Sequence, residues 1–94
     1  MKLKIGYLKY ELKFVDEMED GEKHLDGTID YLTQTITVVS GGGRTVEYIN
    51  SVVYHEIAHG MLYQMGEQNT EEKADRLSHM LYQTFGDYKD ITIK

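Results

Sequence analysis

The sequence contains no cysteine. That excludes a disulfide framework and any thiolate metal site. A transition-metal site in this chain would have to use His, Asp or Glu. Such donors suit a catalytic zinc better than a closed structural zinc, which usually takes Cys. Basic charge is also scarce. Ten Lys and Arg stand against sixteen Asp and Glu, for a formal net charge of −6. A nucleic-acid binder usually presents a basic face, so that class is disfavoured. No apolar run approaches the roughly 20 residues of a membrane span. Met1-Lys2-Leu3-Lys4 is not followed by the apolar h-region of a secretory signal. The expectation is a cytoplasmic protein, or a mature chain whose signal has been removed. There is no repeat, and no low-complexity tract beyond the triplet Gly41-Gly42-Gly43.

What is present suits a single small domain over residues 1–94, with hydrophobic residues at 40%, enough for one modest core. A domain of this size buries a smaller share of its surface than a large one. A metal that binds only the folded state would add to its stability. The acidic residues gather in two stretches. Asp16, Glu17, Glu19, Asp20 and Glu22 read as a solvated loop over 16–24, and Glu67, Glu71, Glu72 and Asp75 lie further on.

From Leu8 the chain alternates apolar and polar residues through Phe14, the period of a strand with one buried face. Gly6 marks a bend between a short first strand and this longer one. Thr28, Ile29 and Tyr31, then Thr35 to Val39, read as the arms of a hairpin turning near Leu32-Thr33-Gln34. The sheet region spans about 2–40, and the glycine triplet ends it.

A helix is predicted over about 44–65. Val46, Ile49, Val52, Val53, Ile57 and Leu62 recur at helical spacing, and Gly66 stands where a C-cap glycine belongs. A second helix is predicted over about 70–85, with Thr70 as N-cap and Gly86 as its stop. Its inner face is expected to be Ala74, Leu77, Met80, Leu81 and Thr84. Met61, Met65 and Met80 read as core filler. His24 and His79 read as lone solvent-side residues.

The chemistry lies in His55-Glu56-Ile57-Ala58-His59. Two His at i and i+4 share one helix face, and their imidazoles can reach one zinc at about 2.0–2.1 Å. Glu56 sits beside the metal, where it can take a proton from bound water whose pKa zinc lowers to about 7. A third ligand must come from the second helix, because position 65 is Met65 and not His. The candidates are Glu71, Glu72, Asp75 and His79. Helix geometry favours Glu71, at the edge of the buried face, and points Glu72, Asp75 and His79 largely away. Tyr63, one turn after His59, and Tyr82 are candidate donors to a developing oxyanion, with a packing role as the simpler reading of each.

Three stretches resemble the minimal gluzincin metallopeptidases, whose larger relatives include thermolysin and the ImmA/IrrE phage-repressor proteases. They are Ile5 to Leu12, Gly27 to Tyr31 with the strand after it, and the helix pair from Val52 to His59 and Thr70 to Gln83. The likeness is nearest to short phage and prophage proteins of that group. It implies an α+β fold, a small antiparallel sheet of three or four strands packed beside two helices. It implies zinc-dependent hydrolysis of a peptide or protein substrate, with a sheet edge aligning the extended peptide. Glu71, with Ala74 at +3 and Asp75 at +4, matches the ligand pattern of the family. The pattern also implies that Asp75 orients a ligand imidazole. One position departs from the ImmA/IrrE motif, where Lys73 replaces the Glu that precedes the Ala. The other class open to this chain is a phage-type binding or inhibitor module that keeps the scaffold without catalysis.

Overall fold

The computed structural model describes residues 1–20 and 23–93. Gly21 and Glu22 of the first acidic stretch, and the side chain of His24, lie outside the described residues. The chain begins with β1 (Lys2–Ile5) and β2 (Leu8–Val15), paired antiparallel with Ile5 opposite Leu8. Gly6 has φ 60°, the positive value that a two-residue hairpin turn requires at its first central position. The segment expected as a plain loop carries a short ladder instead, β3 (Glu19–Asp20) against β4 (Lys23–His24). β5 (Gly27–Asp30) and β6 (Thr35–Val39) form the expected hairpin. Its turn is held by Asp30, whose Oδ1 accepts from the backbone N–H of Leu32 at 3.0 Å and of Thr33 at 3.1 Å.

α1 (Val46–Met65) and α2 (Glu71–Phe85) follow. The Thr45 side chain caps α1 by accepting from Tyr48 N, and Thr70 caps α2 by accepting from Lys73 N. Gly66, at φ 71° and ψ 18°, closes α1 in the left-handed conformation, where a glycine avoids the Cβ penalty. A 3₁₀ turn (Tyr88–Asp90) leads to β7 (Thr92–Ile93), which pairs with β1. No helix among the described residues is long and apolar enough to cross a membrane.

The fold is α+β, a small sheet packed beside two helices. The sheet order is β5-β6-β2-β1-β7. It is mixed, where a wholly antiparallel sheet was expected, because β6 lies parallel to β2 with Leu12 opposite Ile36. The two local hairpins are antiparallel, as short turns demand. They join through the inner strand of the second hairpin, which leaves β5 at the outer edge. Leu3, Ile5, Tyr10, Leu12, Ile36 and Val38 alternate onto one face and pack against Val53, Tyr54 and Ile57 of α1.

α1 lies close on this face because Gly60 has no side chain. A Cβ there would stand 2.7 Å from Ile5 Cδ1 and 3.1 Å from Ile29 Cδ1. α2 runs back along α1 through small residues, with Ala58 and Leu62 against Ala74. Of the expected inner face, Ala74, Leu77 and Leu81 pack inward, but the face is rotated at Ser78, Met80 and Thr84. Ala74 and Ser78 are buried, while Met80 is 62% exposed and Thr84 is exposed. Ser78 can turn inward because its hydroxyl donates to Asp75 O at 2.7 Å, so no donor is stranded. Of the methionines read as filler, Met61 packs on the core, but Met65 and Met80 are on the surface. Tyr54 ties the middle of α1 to the C-terminal end of α2 by donating to Gly86 O at 2.7 Å.

Candidate metal centre

One turn of α1 sets His55 and His59 side by side, with their Nε2 atoms 3.1 Å apart. Glu71 is the first residue of α2, placed there by the Thr70 cap. Its Oε2 lies 2.9 Å from His55 Nε2 and its Oε1 3.0 Å from His59 Nε2. Among the described residues these three form a group whose ligand atoms all lie within 4.8 Å of one another. His55 and His59 are mostly covered by protein, whereas the Glu71 side chain is 81% exposed. The group therefore opens to solvent on the Glu71 side.

The far side of each ring is held as well. Asp75 Oδ1 lies 3.1 Å from His55 Nδ1, and Asn69 Oδ1 lies 2.5 Å from His59 Nδ1. Asn69 Nδ2 donates to the His59 carbonyl at 3.3 Å and to the Tyr31 hydroxyl at 2.9 Å. A carbonyl can only accept, so the amide nitrogen must be on that side and Oδ1 must face the ring. Both Nδ1 atoms then carry protons, given to oxygen acceptors. In neutral imidazoles this leaves both Nε2 atoms as bare lone pairs. Two lone pairs and a carboxylate thus converge within about 3 Å, an arrangement that repels itself unless a cation lies among them. A bound metal ion fits this donor set.

Asp75 is not turned away, as the helix phase suggested. The true buried face of α2 is rotated toward Ser78, and this carries Asp75 to His55. Glu72 is directed to solvent and pairs with Arg76 one turn on. His79 lines the mouth of the cleft without joining the three ligand atoms.

Glu56 is only 7% exposed. Burial pushes its carboxyl above the usual range, His59 and His55 pull it partly back, and Glu71 adds to the rise. None of the described residues hydrogen-bonds its carboxylate, which borders the open groove. The way in for β5 is Gly27, where a Cβ would meet Val52 Cγ1 at 2.7 Å and Glu56 Cγ at 3.4 Å.

A groove runs along edge strand β5 on both sides of this centre. The His55 side is a cleft of about 410 Å³ whose walls include Tyr48, Val52, Ser78 and Tyr82. Its far end is closed by Asp26, which accepts from Tyr48 OH at 2.6 Å and from Arg44 Nη2 at 2.9 Å. These two donors, Tyr48 first, hold the Asp26 carboxyl below its ordinary value. The His59 side, about 330 Å³, is lined by Ile29, Tyr31, Glu56, Asn69 and Glu71 among others. Glu56 and Glu71 face both halves.

Of the two tyrosines singled out in the sequence, Tyr82 lines the His55 side, with its ring 5.3 Å from that of Tyr54. Tyr63 is 56% exposed and stacks on Tyr31 with centroids 4.0 Å apart. It lines the outer groove with Leu32, beyond the part that Glu56 faces. Asn69 and Tyr31 were not foreseen. Asn69 sits in a polar connection and Tyr31 at a strand end, where no periodicity marks them.

No family model matches the chain, and neither a curated protein nor a solved structure does.

Proposed function

We propose that this chain is a zinc-dependent peptidase of the H-E-x-x-H type, in which His55, His59 and Glu71 hold the metal and Glu56 handles the proton. One observation carries the reading. The lone pairs of two imidazoles and a carboxylate converge beside the largely buried Glu56 carboxyl, which none of the described residues hydrogen-bonds. Two imidazoles, one carboxylate and an open side are the donor set of catalytic zinc. When bound, zinc would supply Lewis acidity, polarising a carbonyl and bringing the pKa of water to about 7. Asp75 and Asn69 hold the tautomers that turn both Nε2 atoms inward. Glu56 takes the proton of a water in the cleft and delivers it to the leaving amine, a shuttle suited to a carboxyl whose pKa burial has raised. The outer edge of β5 has no partner strand among the described residues, which favours an extended peptide as substrate. Within this reading the chain is a minimal gluzincin, and Ala74 and Asp75 stand after Glu71 as that pattern has them.

The test is incubation of the zinc-loaded chain with a mixed peptide library, read by mass spectrometry. Cleavage is expected from the wild type, and none from Glu56→Gln or after chelation. A chain that binds zinc tightly yet cleaves nothing would sink the peptidase reading and leave a metal-bearing binding module.

A further inference from the structure

Four tyrosines come near the groove: Tyr31, Tyr48, Tyr63 and Tyr82. The Tyr48 hydroxyl already donates its proton to Asp26 at the far end of the cleft, and of the other three only the Tyr31 hydroxyl is held in place by a hydrogen bond among the described residues. Its oxygen accepts from Asn69 Nδ2, and Asn69 is itself anchored on the His59 carbonyl and the His59 ring. The Tyr31 ring is fixed by stacking on Tyr63, with an interplanar angle of 9°. One oxygen lone pair of the phenol is therefore taken, while its hydrogen remains for another acceptor. The residue lines the same half of the groove as Glu56, His59 and Glu71. Tyr63 is outside that space, and the Tyr82 hydroxyl has no such anchor.

We infer that Tyr31 is the electrophilic residue of the site, a preorganised phenol that donates a hydrogen bond to the oxyanion formed as a carbonyl is attacked, with Asn69 as its positioning residue. This rests on the metal-site reading above. The phenol makes and breaks no covalent bond; it shares its proton without giving it up. Burial raises the Tyr31 hydroxyl above its ordinary pKa of 10.0, so it stays protonated at neutral pH. A donor already fixed in place needs no reorganisation at the moment charge develops, which is where such donors are most effective. The arrangement also couples the two functions of the site, since one amide side chain orients a ligand imidazole and the oxyanion donor together.

The experiment uses phenylphosphonate, a tetrahedral oxyanion, titrated calorimetrically into the full zinc-loaded chain. Wild type, Tyr31→Phe, Tyr63→Phe and Tyr82→Phe are compared, after zinc affinity has been measured for each by competition with a chelator. Tyr31→Phe keeps the ring and its stack. It is expected to bind zinc as the wild type does but phosphonate about 10- to 100-fold more weakly, the loss of one hydrogen bond to a charged group. Tyr63→Phe and Tyr82→Phe are expected to stay within about twofold of wild type, as variants that lose no bond to the oxyanion. Phosphonate binding unchanged in Tyr31→Phe, lost instead in Tyr82→Phe, or absent from the zinc-loaded wild type overturns the assignment. Failure of the wild type to bind zinc shows in the first titration, and removes the metal site and this inference together.

Discussion

Asn69 folds back over the helix that precedes it, with Oδ1 2.5 Å from His59 Nδ1 and Nδ2 3.3 Å from the His59 carbonyl. The amide thus reads both the ring and the backbone of one residue. Asp75 does the corresponding work for His55, but with a charge. Asn69→Ala is expected to weaken zinc binding about 10-fold or more, as loss of an outer partner of a ligand usually does. A chelator competition titration measures it. An unchanged affinity would show that His59 needs no such partner.

The metal ligands themselves should behave more severely. His55→Ala or His59→Ala is expected to abolish stoichiometric zinc, wild type retaining about one per chain as a single site of this kind would. Metal analysis of the purified variants reads the outcome. Zinc retained by both would place the ion elsewhere.

On α2 the three acidic residues should separate cleanly. Glu71→Gln loses an ionic ligand and should bind zinc far more weakly. Asp75→Asn keeps an acceptor for His55 and should fall between Glu71→Gln and wild type. Glu72 is in solvent and pairs with Arg76, and Glu72→Gln should cost less than about 0.5 kcal/mol and leave zinc affinity alone. If Glu72→Gln lost the metal while Glu71→Gln kept it, the start of α2 would be misplaced.

Glu56 offers a test by pH. In the metal-free chain, burial raises its carboxyl above the ordinary 4.5. Below 4.5 both folded and unfolded chains hold the proton, and stability is undiminished. As pH rises toward and through the folded pKa, the unfolded chain gives up the proton more readily, and stability is lost. Metal-free Glu56→Gln should therefore melt above the metal-free wild type at pH 7, with the gap closing toward pH 4. Equal melting temperatures at pH 7 would mean the carboxylate is not desolvated.

Gly60 tests the seat of α1 on the sheet. Alanine is the better helix former by about 1 kcal/mol. Its methyl group would press on Ile5, which is fully buried and has no room to yield, and on Ile29. Overpacking of this kind costs about 1–3 kcal/mol, so Gly60→Ala is expected to lower the urea midpoint at unchanged slope. A raised midpoint would show that Ile5 can shift.

The parts of this protein that local chemistry decides were legible in the sequence. Gly66, Thr70 and Gly86 mark three of the four helix ends, because caps and positive-φ glycines act on their own neighbours, while the start of α1 was read to within about two residues of its Thr45 cap. Gly6 and the alternation after Leu8 placed the first two strands for the same reason. His55 and His59 at i and i+4 must share a face of any helix that contains them, and Glu71 opens the second.

Tertiary structure alone decided the rest. Whether β6 pairs parallel to β2 depends on contacts between hairpins that no short window contains. The rotation of α2 follows from Ala58 meeting Ala74 and from Ser78 satisfying its own hydroxyl, so the buried face includes a residue that hydropathy scores as polar and omits Met80. That rotation brings Asp75 to His55. Asn69 and Tyr31 are 38 positions apart and meet only because the α1–α2 connection passes the end of β5. Helical spacing puts two imidazoles together by covalent geometry. Which groups hold their outer nitrogens depends on how three separate elements pack, and only the folded chain determines that.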